Sequence, residues 1–179
     1  FKSIRDLIVG NFSNPKIISN ELHSDGEIPF VNNSNLSSSI KDCILDVKSI
    51  KNYVDSDLIS NKKLKRIKPY SILCSKIGTN LRPTLVEEEA GFVTSANILV
   101  LEIDQNIIIP KYFISQLYED YVIKQLESIE VGTSQTFVRV EDLMDVKVKV
   151  PTISEQKYYI QGLNISSLLE LVNEQESEY

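Results

Sequence analysis

The sequence is poor in the residues that build metal centres, disulfide scaffolds and membrane spans. Its 179 residues include one histidine, His23, and two cysteines, Cys43 and Cys74. A single histidine excludes a multi-histidine metal site, and two cysteines do not make a disulfide framework, so a reduced cytoplasmic chain is the simplest interpretation. The longest apolar run, 96–101, is interrupted by an asparagine and is far shorter than the roughly 18 residues that span a bilayer. The chain does not begin with methionine, and we expect it to be a fragment.

Motifs for nucleotide binding and catalysis are missing as well. There is neither G-x-G-x-x-G nor G-x-x-x-x-G-K-[S/T], so no recognisable phosphate-binding loop is encoded. His23 falls in a polar loop and the cysteines stand far apart in sequence, which favours an exposed histidine and buried free thiols over ligands or nucleophiles. The carboxylates at 87–89 and 141–142 are typical of a solvated surface, although paired carboxylates also serve as general acids and bases.

Charge is distributed unevenly along the chain. The net charge is −6, but residues 1–83 carry 13 Lys and Arg against 8 Asp and Glu, whereas residues 84–179 carry 6 against 17. The window 48–76 holds 8 basic and 2 acidic residues. A local basic field attracts a polyanion even in an acidic protein, and a lysine-rich stretch is equally typical of a solvated loop or helix face.

Periodicity predicts a mixed α/β domain followed by a helical tail. Strands are expected at 28–31, 70–74, 84–87, 92–94, 97–103 and 145–150, with 84–87 and 92–94 paired. One helix is expected to open at Pro110 and to continue through 112–126, and 140–144 is expected to form a helical turn. Ser154 is the expected N-cap of a last helix that runs towards 176. Its apolar stripe requires a partner, either the domain itself or another chain; the stripe consists of Ile160, Leu163, Leu168, Leu171 and Val172.

Six segments follow one another in a recognisable order. They are Gly26-Glu-Ile-Pro-Phe and its continuation to Ser37, Ile67–Asn80, Ser95–Leu101, the helix from Pro110, Gly132-Thr-Ser-Gln135, and Val150-Pro-Thr-Ile-Ser-Glu-Gln156. Together they resemble a target recognition domain of the specificity (S) subunits of type I restriction–modification enzymes, across nearly the whole chain. The Pro-x-x-x-Glu-Gln motif entering a helix is the most distinctive piece. The chain departs from the family in its single Pro151, in its net acidity, and in having one domain and one helix where an S subunit has two domains joined by long helices.

The resemblance implies a single mixed α/β (α+β) target recognition domain over 1–152 and a spacer or dimerisation helix over 153–179. It implies a non-catalytic component that recognises double-stranded DNA and directs a methyltransferase subunit and a restriction subunit to the target. S-adenosylmethionine would be bound by the methyltransferase and no cofactor by this chain. Two copies are expected to pair through the last helix.

Three places in the sequence carry the side chains that DNA recognition needs. Arg and Lys bond guanine and Asn and Gln bond adenine, while Lys, Arg, Ser and Thr bond phosphates. The candidates are a loop with Lys76, Thr79, Asn80 and Arg82, a turn with Thr133, Ser134 and Gln135, and a basic run with Lys62, Lys63, Lys65 and Arg66. Each has a simpler interpretation: turn formation for the first loop, a local hydrogen bond for Gln135, and solvation for the run.

Other functions stay open at this stage. The domain is also compatible with a place at the end of a single-chain adenine methyltransferase, which an upstream Asn-Pro-Pro-aromatic motif would indicate. A protein-interaction domain that never touches DNA would use the acidic half and the last helix. A small nuclease would use Asp46-Val-Lys48 or Asp145-Val-Lys147, and would need a further carboxylate nearby to hold metal.

Overall fold

A computed structural model of the chain describes residues 1–78, 80–87 and 91–177, with the side chains of Ser167, Leu168, Leu171 and Ser177 left aside. The strands are β1 (Lys2–Ser3), β2 (Ile8–Phe12), β3 (Ile28–Val31), β4 (Asn52–Val54), β5 (Ile72–Ser75), β6 (Thr84–Leu85), β7 (Val93–Thr94), β8 (Ile98–Ile103), β9 (Glu130–Val131), β10 (Phe137–Val138) and β11 (Lys147–Val148). The α-helices are α1 (Ser56–Lys62), α2 (Pro110–Leu117), α3 (Asp120–Ser128), α4 (Val140–Leu143) and α5 (Ile153–Ser177). Short 3₁₀ turns lie at Ile4–Leu7, Ser19–Glu21, Asn33–Asn35, Ile40–Asp42 and Val47–Ser49.

The core is built around a sheet that is buried on both faces. Its strand order in the described part of the chain is β2-β8-β5-β6, with antiparallel neighbours. Along β8, Leu99 and Leu101 pack into the larger core, whereas Ile98 and Val100 pack into a second core on the opposite face. A strand covered on both sides is expected to be a continuous apolar run, which is why β8 was recognisable. The prediction of a mixed α/β fold with a C-terminal helix is confirmed.

A second sheet has the order β4-β3-β7. The predicted strand at 28–31 is confirmed as β3, but the predicted pairing of 84–87 with 92–94 is wrong. β6 pairs with β5 in the first sheet, and β7 runs parallel to β3 in the second. Both short strands are fully buried, so each adds to a different sheet rather than forming a hairpin with the other.

The predicted single helix over 112–126 is also wrong, because the chain breaks between α2 and α3. Glu119 is extended, with ψ 146, and its carboxylate accepts a hydrogen bond of 2.8 Å from the Tyr159 hydroxyl of α5. The break allows both halves to bury apolar residues in the same core, Phe113 and Leu117 from α2 and Leu126 from α3. Hydrophobic periodicity alone does not reveal that α3 turns away from α2, because each helix keeps its own apolar face.

The segment before α5 differs from the expected long strand. The alternation of exposed and buried residues over 145–149 is present, but β11 is confined to Lys147–Val148 because Val146 closes a turn onto the Leu143 carbonyl. The expected helical turn over 140–144 is confirmed as α4. The cap of α5 is Thr152 rather than Ser154: its Oγ1 accepts a hydrogen bond from the Glu155 amide at 3.3 Å. None of the helices in the described ranges is both long and apolar enough to cross a membrane.

Candidate nucleic-acid interface

Two of the predicted DNA-contacting segments meet in space. β5 leads into a turn that begins at Lys76, and β9 and β10 form a hairpin around a turn at 132–136. Gly78 and Phe137 are joined by an isolated parallel bridge, so the two turns lie side by side. We call residues 76–82 and 132–137 the two-turn cluster. Thr79 belongs to it by sequence but lies outside the described residues.

Polar side chains of the two-turn cluster face solvent. Asn80, Thr133, Ser134 and Gln135 are exposed, and Lys76 is half-buried. The Asn80 Oδ1 atom accepts a hydrogen bond of 3.1 Å from the Arg82 amide, which is the turn-forming role expected of asparagine. The structure therefore gathers in one place the amide, hydroxyl and ammonium groups that bond base edges.

The two segments that meet at Gly78 carry basic and no acidic residues. Segment 75–82 contains Lys76 and Arg82, and segment 131–140 contains Arg139. The second segment is notable because it lies within the half of the chain with 6 basic and 17 acidic residues. Arg139 is exposed and was not among the predicted residues. The sequence could have pointed to Arg139, because it lies two residues after Phe137 in the segment 131–140, which contains no carboxylate.

Arg82 is used inside the fold. Its Nη1 atom donates to the Asn33 carbonyl at 2.8 Å, and its Nη2 atom donates to the Leu36 carbonyl at 2.5 Å. The Asn33 side-chain amide also donates to the Ser75 hydroxyl at 3.3 Å. These bonds hold the 33–36 turn against the end of β5, where the two-turn cluster begins. Arg82 thus positions neighbouring backbone, a role that its residue type alone did not reveal.

The basic run 62–66 lies against a different part of the molecule. The Lys62 ammonium donates to the Glu21 carboxylate at 2.6 Å and to the Lys16 carbonyl at 3.0 Å. The hydrogen bond from Lys62 lowers the pKa of Glu21 below its usual value. Lys62 therefore ties α1 to the 16–21 segment.

The rest of the run is presented to solvent on a fixed backbone. The Asn14 side chain accepts from the Lys65 amide at 2.9 Å and donates to the Lys65 carbonyl at 3.1 Å, and Asn14 itself is buried. Lys63, Lys65 and Arg66 are exposed. The Lys65 Nζ atom lies 5.3 Å from the centre of the Phe12 ring. These three residues form the part of the run that is suited to phosphates.

Two glycines predict opposite effects of the same substitution. Gly132 has φ +97, and a Cβ there would lie 2.4 Å from the Gln135 carbonyl oxygen, whereas a Cβ at Gly162 in α5 would meet nothing within 4 Å. We expect Gly132→Ala to destabilise the chain by more than about 1 kcal/mol and Gly162→Ala to stabilise it by roughly 0.5–1 kcal/mol. Urea unfolding followed by circular dichroism measures both. Equal effects of the two substitutions would contradict the strained geometry of the 132–136 turn.

The cysteines, the histidine and Asp145, which the sequence analysis considered as reactive groups, are either buried or paired with other side chains. Cys43 and Cys74 are buried free thiols, as predicted; burial raises the pKa of Cys74 to about 12 and also raises the pKa of Cys43, which disfavours the nucleophilic thiolate. His23 is exposed and contacts Asp55 at 3.1 Å. Asp145 pairs with Arg5 at 2.6 Å. Within the described ranges, no three His, Cys, Asp or Glu side chains are grouped to hold a metal ion.

Comparison with known proteins gives one matching family and several solved structures of similar fold. Residues 1–177 match the protein family described as the type I restriction modification DNA specificity domain. A search of curated proteins gives no significant match.

Solved structures with a similar fold share little sequence with the chain. The type I restriction-modification system S subunit from M. genitalium has a TM-score of 0.59 at 17% identity, covering 99% of this chain and 43% of that one. The HsdS subunit from Thermoanaerobacter tengcongensis has a TM-score of 0.67 at 11% identity, covering 94% and 37%. A chain from a structure on complex assembly and conformational transition of the type I R-M system has a TM-score of 0.65 at 12% identity, covering 98% and 40%. The chain thus spans about two fifths of the length of these proteins.

Proposed function

The chain belongs to the type I restriction modification DNA specificity domain family, and we propose that it recognises a specific sequence in double-stranded DNA. We propose further that it directs a methyltransferase subunit and a restriction subunit to that site. The observation that carries the first proposal is the Gly78–Phe137 bridge. It places two turns, each chosen from sequence for base-bonding side chains, next to each other on one exposed surface. Duplex DNA is the polyanion whose base edges match those groups.

The predicted residues divide into two roles. We assign base contacts to the two-turn cluster, through Lys76, Thr79, Asn80, Thr133, Ser134 and Gln135. We assign phosphate contacts to Lys63, Lys65 and Arg66, whose side chains are exposed. Asn14 bonds the backbone amide and carbonyl of Lys65 in the middle of this group. Lys62 and Arg82 position these surfaces, because their charged groups bond Glu21 and the 33–36 turn. This division separates specificity from affinity, as expected of DNA-binding surfaces.

The chemistry of modification and cleavage is assigned to other subunits. We propose that this chain is non-catalytic, that it binds no cofactor, and that S-adenosylmethionine is bound by the methyltransferase subunit. The buried thiols and the engaged Asp145 supply no reactive group at the two-turn cluster. A cytoplasmic location follows from the proposed DNA substrate.

The last helix is proposed as a spacer and dimerisation element over 153–179, following the recognition domain over 1–152. On α5, Ile160 and Leu163 lie half-buried, whereas exposed apolar side chains occupy the opposite positions Tyr158, Ile165, Leu169 and Val172. Together with Gly162, these residues are spaced alternately by four and three positions along α5, which is the spacing of the contact seam between two paired helices. The side chains of Leu168 and Leu171, predicted as part of the stripe, lie outside those described.

Light scattering of the wild type and of I165E/L169E tests the pairing: a dimer that the variant abolishes supports it, and a monomeric wild type contradicts it.

Fluorescence anisotropy with a short randomised duplex tests the DNA proposal. We expect binding that weakens steeply with salt, since neutralised phosphates release counterions. Heparin, which is also a polyanion, should compete with the duplex for the protein at low salt. Absence of binding at low salt, both for the chain alone and with its methyltransferase subunit, would contradict the proposal and favour the protein-interaction alternative.

A further inference from the structure

Two apolar side chains are exposed within the otherwise polar two-turn cluster. Phe137 is 40% exposed and Ile77 is 39% exposed. Phe137 is followed on β10 by Val138, which is buried in the larger core. The strand therefore directs one side chain inward and leaves the aromatic ring at the surface.

Single exposed apolar residues are common on protein surfaces and need no explanation. Ile77 and Phe137 differ because they come from separate parts of the chain and flank the same contact: Ile77 precedes Gly78, and Gly78 bridges to Phe137. Gly78 has φ +76, and a Cβ built on it would meet nothing within 4 Å. The surface beside the ring is therefore open to a ligand.

The proposed function supplies the ligand of that surface, which is duplex DNA. Lys76 and Arg139 beside it are suited to phosphate contacts, whereas the Arg82 guanidinium is bonded inside the fold. The exposed carboxylates of Glu127 and Glu130 lie at the edge of the same surface. In the major groove, base edges present donors, acceptors and one apolar group, which is the 5-methyl group of thymine.

We propose that Phe137 and Ile77 contact thymine 5-methyl groups in the major groove and so select T·A pairs at defined positions of the target. This inference rests on the proposed function and deepens it by naming the base feature that the surface recognises. Phe137 is the principal specificity-determining residue, since its ring offers the larger apolar area. Asn80 and Gln135 bond the neighbouring base edges.

The test uses the whole chain and a target obtained by selection from a randomised duplex pool. Each thymine of the selected site is then replaced in turn by uracil, which removes only the methyl group. We expect replacement at one or two positions to weaken wild-type binding by about three- to tenfold. Phe137→Ala should bind the thymine duplex more weakly by a similar factor and should no longer distinguish thymine from uracil at one of those positions. Ile77→Ala should behave in the same way at a neighbouring position.

Val47→Ala provides the matched control. Val47 is 37% exposed and belongs to the 47–49 turn, outside the two-turn cluster, so its removal should leave the thymine–uracil ratio unchanged. The wild-type comparison of thymine and uracil duplexes stands even if a variant folds poorly. Wild-type binding indifferent to every uracil replacement would overturn the inference while leaving the proposed function intact. A pool from which no sequence is enriched would instead contradict the proposed function itself, and the inference with it.

Discussion

Replacing Gln156 with leucine is expected to destabilise the chain by about 2–4 kcal/mol. Gln156 is 0% exposed. Its Oε1 atom accepts from the Ile109 amide at 2.8 Å, and its Nε2 atom donates to the Ile107 carbonyl at 3.1 Å and to the Pro151 carbonyl at 2.9 Å. A leucine of similar volume leaves all three backbone groups without these partners, and an unsatisfied buried group costs about 1–3 kcal/mol.

Urea unfolding followed by circular dichroism gives the change in the free energy of unfolding. Gln161→Leu is the control, because Gln161 lies on the same helix and is exposed; we expect its effect to stay within about 0.5 kcal/mol. A Gln156→Leu variant as stable as the control would show that these hydrogen bonds do not hold α5 to the domain.

The same contacts explain the Pro-x-x-x-Glu-Gln motif. The Pro151 carbonyl accepts from Gln156, and Gln156 in turn bonds the amide of Ile109, the residue that precedes α2. Glu155 belongs to the cap, since its amide and carboxylate both contact the Thr152 hydroxyl. The motif therefore fixes the start of α5 against the start of α2. Its place in the chain was recognisable from sequence by resemblance, but the reason for a glutamine was not, because its partners at 107 and 109 are distant in sequence.

Removing three cations of the basic run is expected to have the largest effect on DNA affinity. In a K63S/K65S/R66S variant, we expect the slope of log affinity against log salt to become shallower by about 0.9 for each lost phosphate contact. Affinity at low salt should fall on the order of tenfold or more. Anisotropy with a randomised duplex at several salt concentrations measures both quantities.

Two controls separate phosphate contacts from net charge. A K2S/K124S/K157S variant removes the same charge from exposed lysines elsewhere and should keep most of the wild-type slope. A Lys62→Ser variant should also keep its slope, since the Lys62 ammonium is bound to Glu21 and the Lys16 carbonyl. Equal loss of slope in the two triple variants would show that only net charge matters and that the run makes no direct contact.

Local pattern predicted the parts of the fold that depend on local chemistry. β3 and β8 were recognisable because each is an apolar run bounded by polar residues. The opening of α2 was recognisable because proline favours the first helical turn. The break before α3 and the separate partners of β6 and β7 were not, since they depend on where Tyr159, β5 and β3 lie in space.

The candidate site shows the same limit. Residue type and turn propensity pointed to 76–82 and 133–135, but only the Gly78–Phe137 bridge shows that the two segments are neighbours. Residue type also suggested that Arg82 was free for DNA, whereas its guanidinium bonds the Asn33 and Leu36 carbonyls. Sequence patterns indicate which groups are available and leave their partners undetermined.

The central claim is that the two-turn cluster contacts bases while the basic run contacts phosphates. Selection from a randomised duplex pool with the wild type, with N80A/Q135A and with K63S/K65S/R66S tests it most directly. We predict that the wild type enriches one sequence motif, that N80A/Q135A relaxes the motif at particular positions, and that the basic-run variant enriches the same motif with lower affinity. An identical motif from the wild type and N80A/Q135A, or no enriched motif at all, would contradict the account.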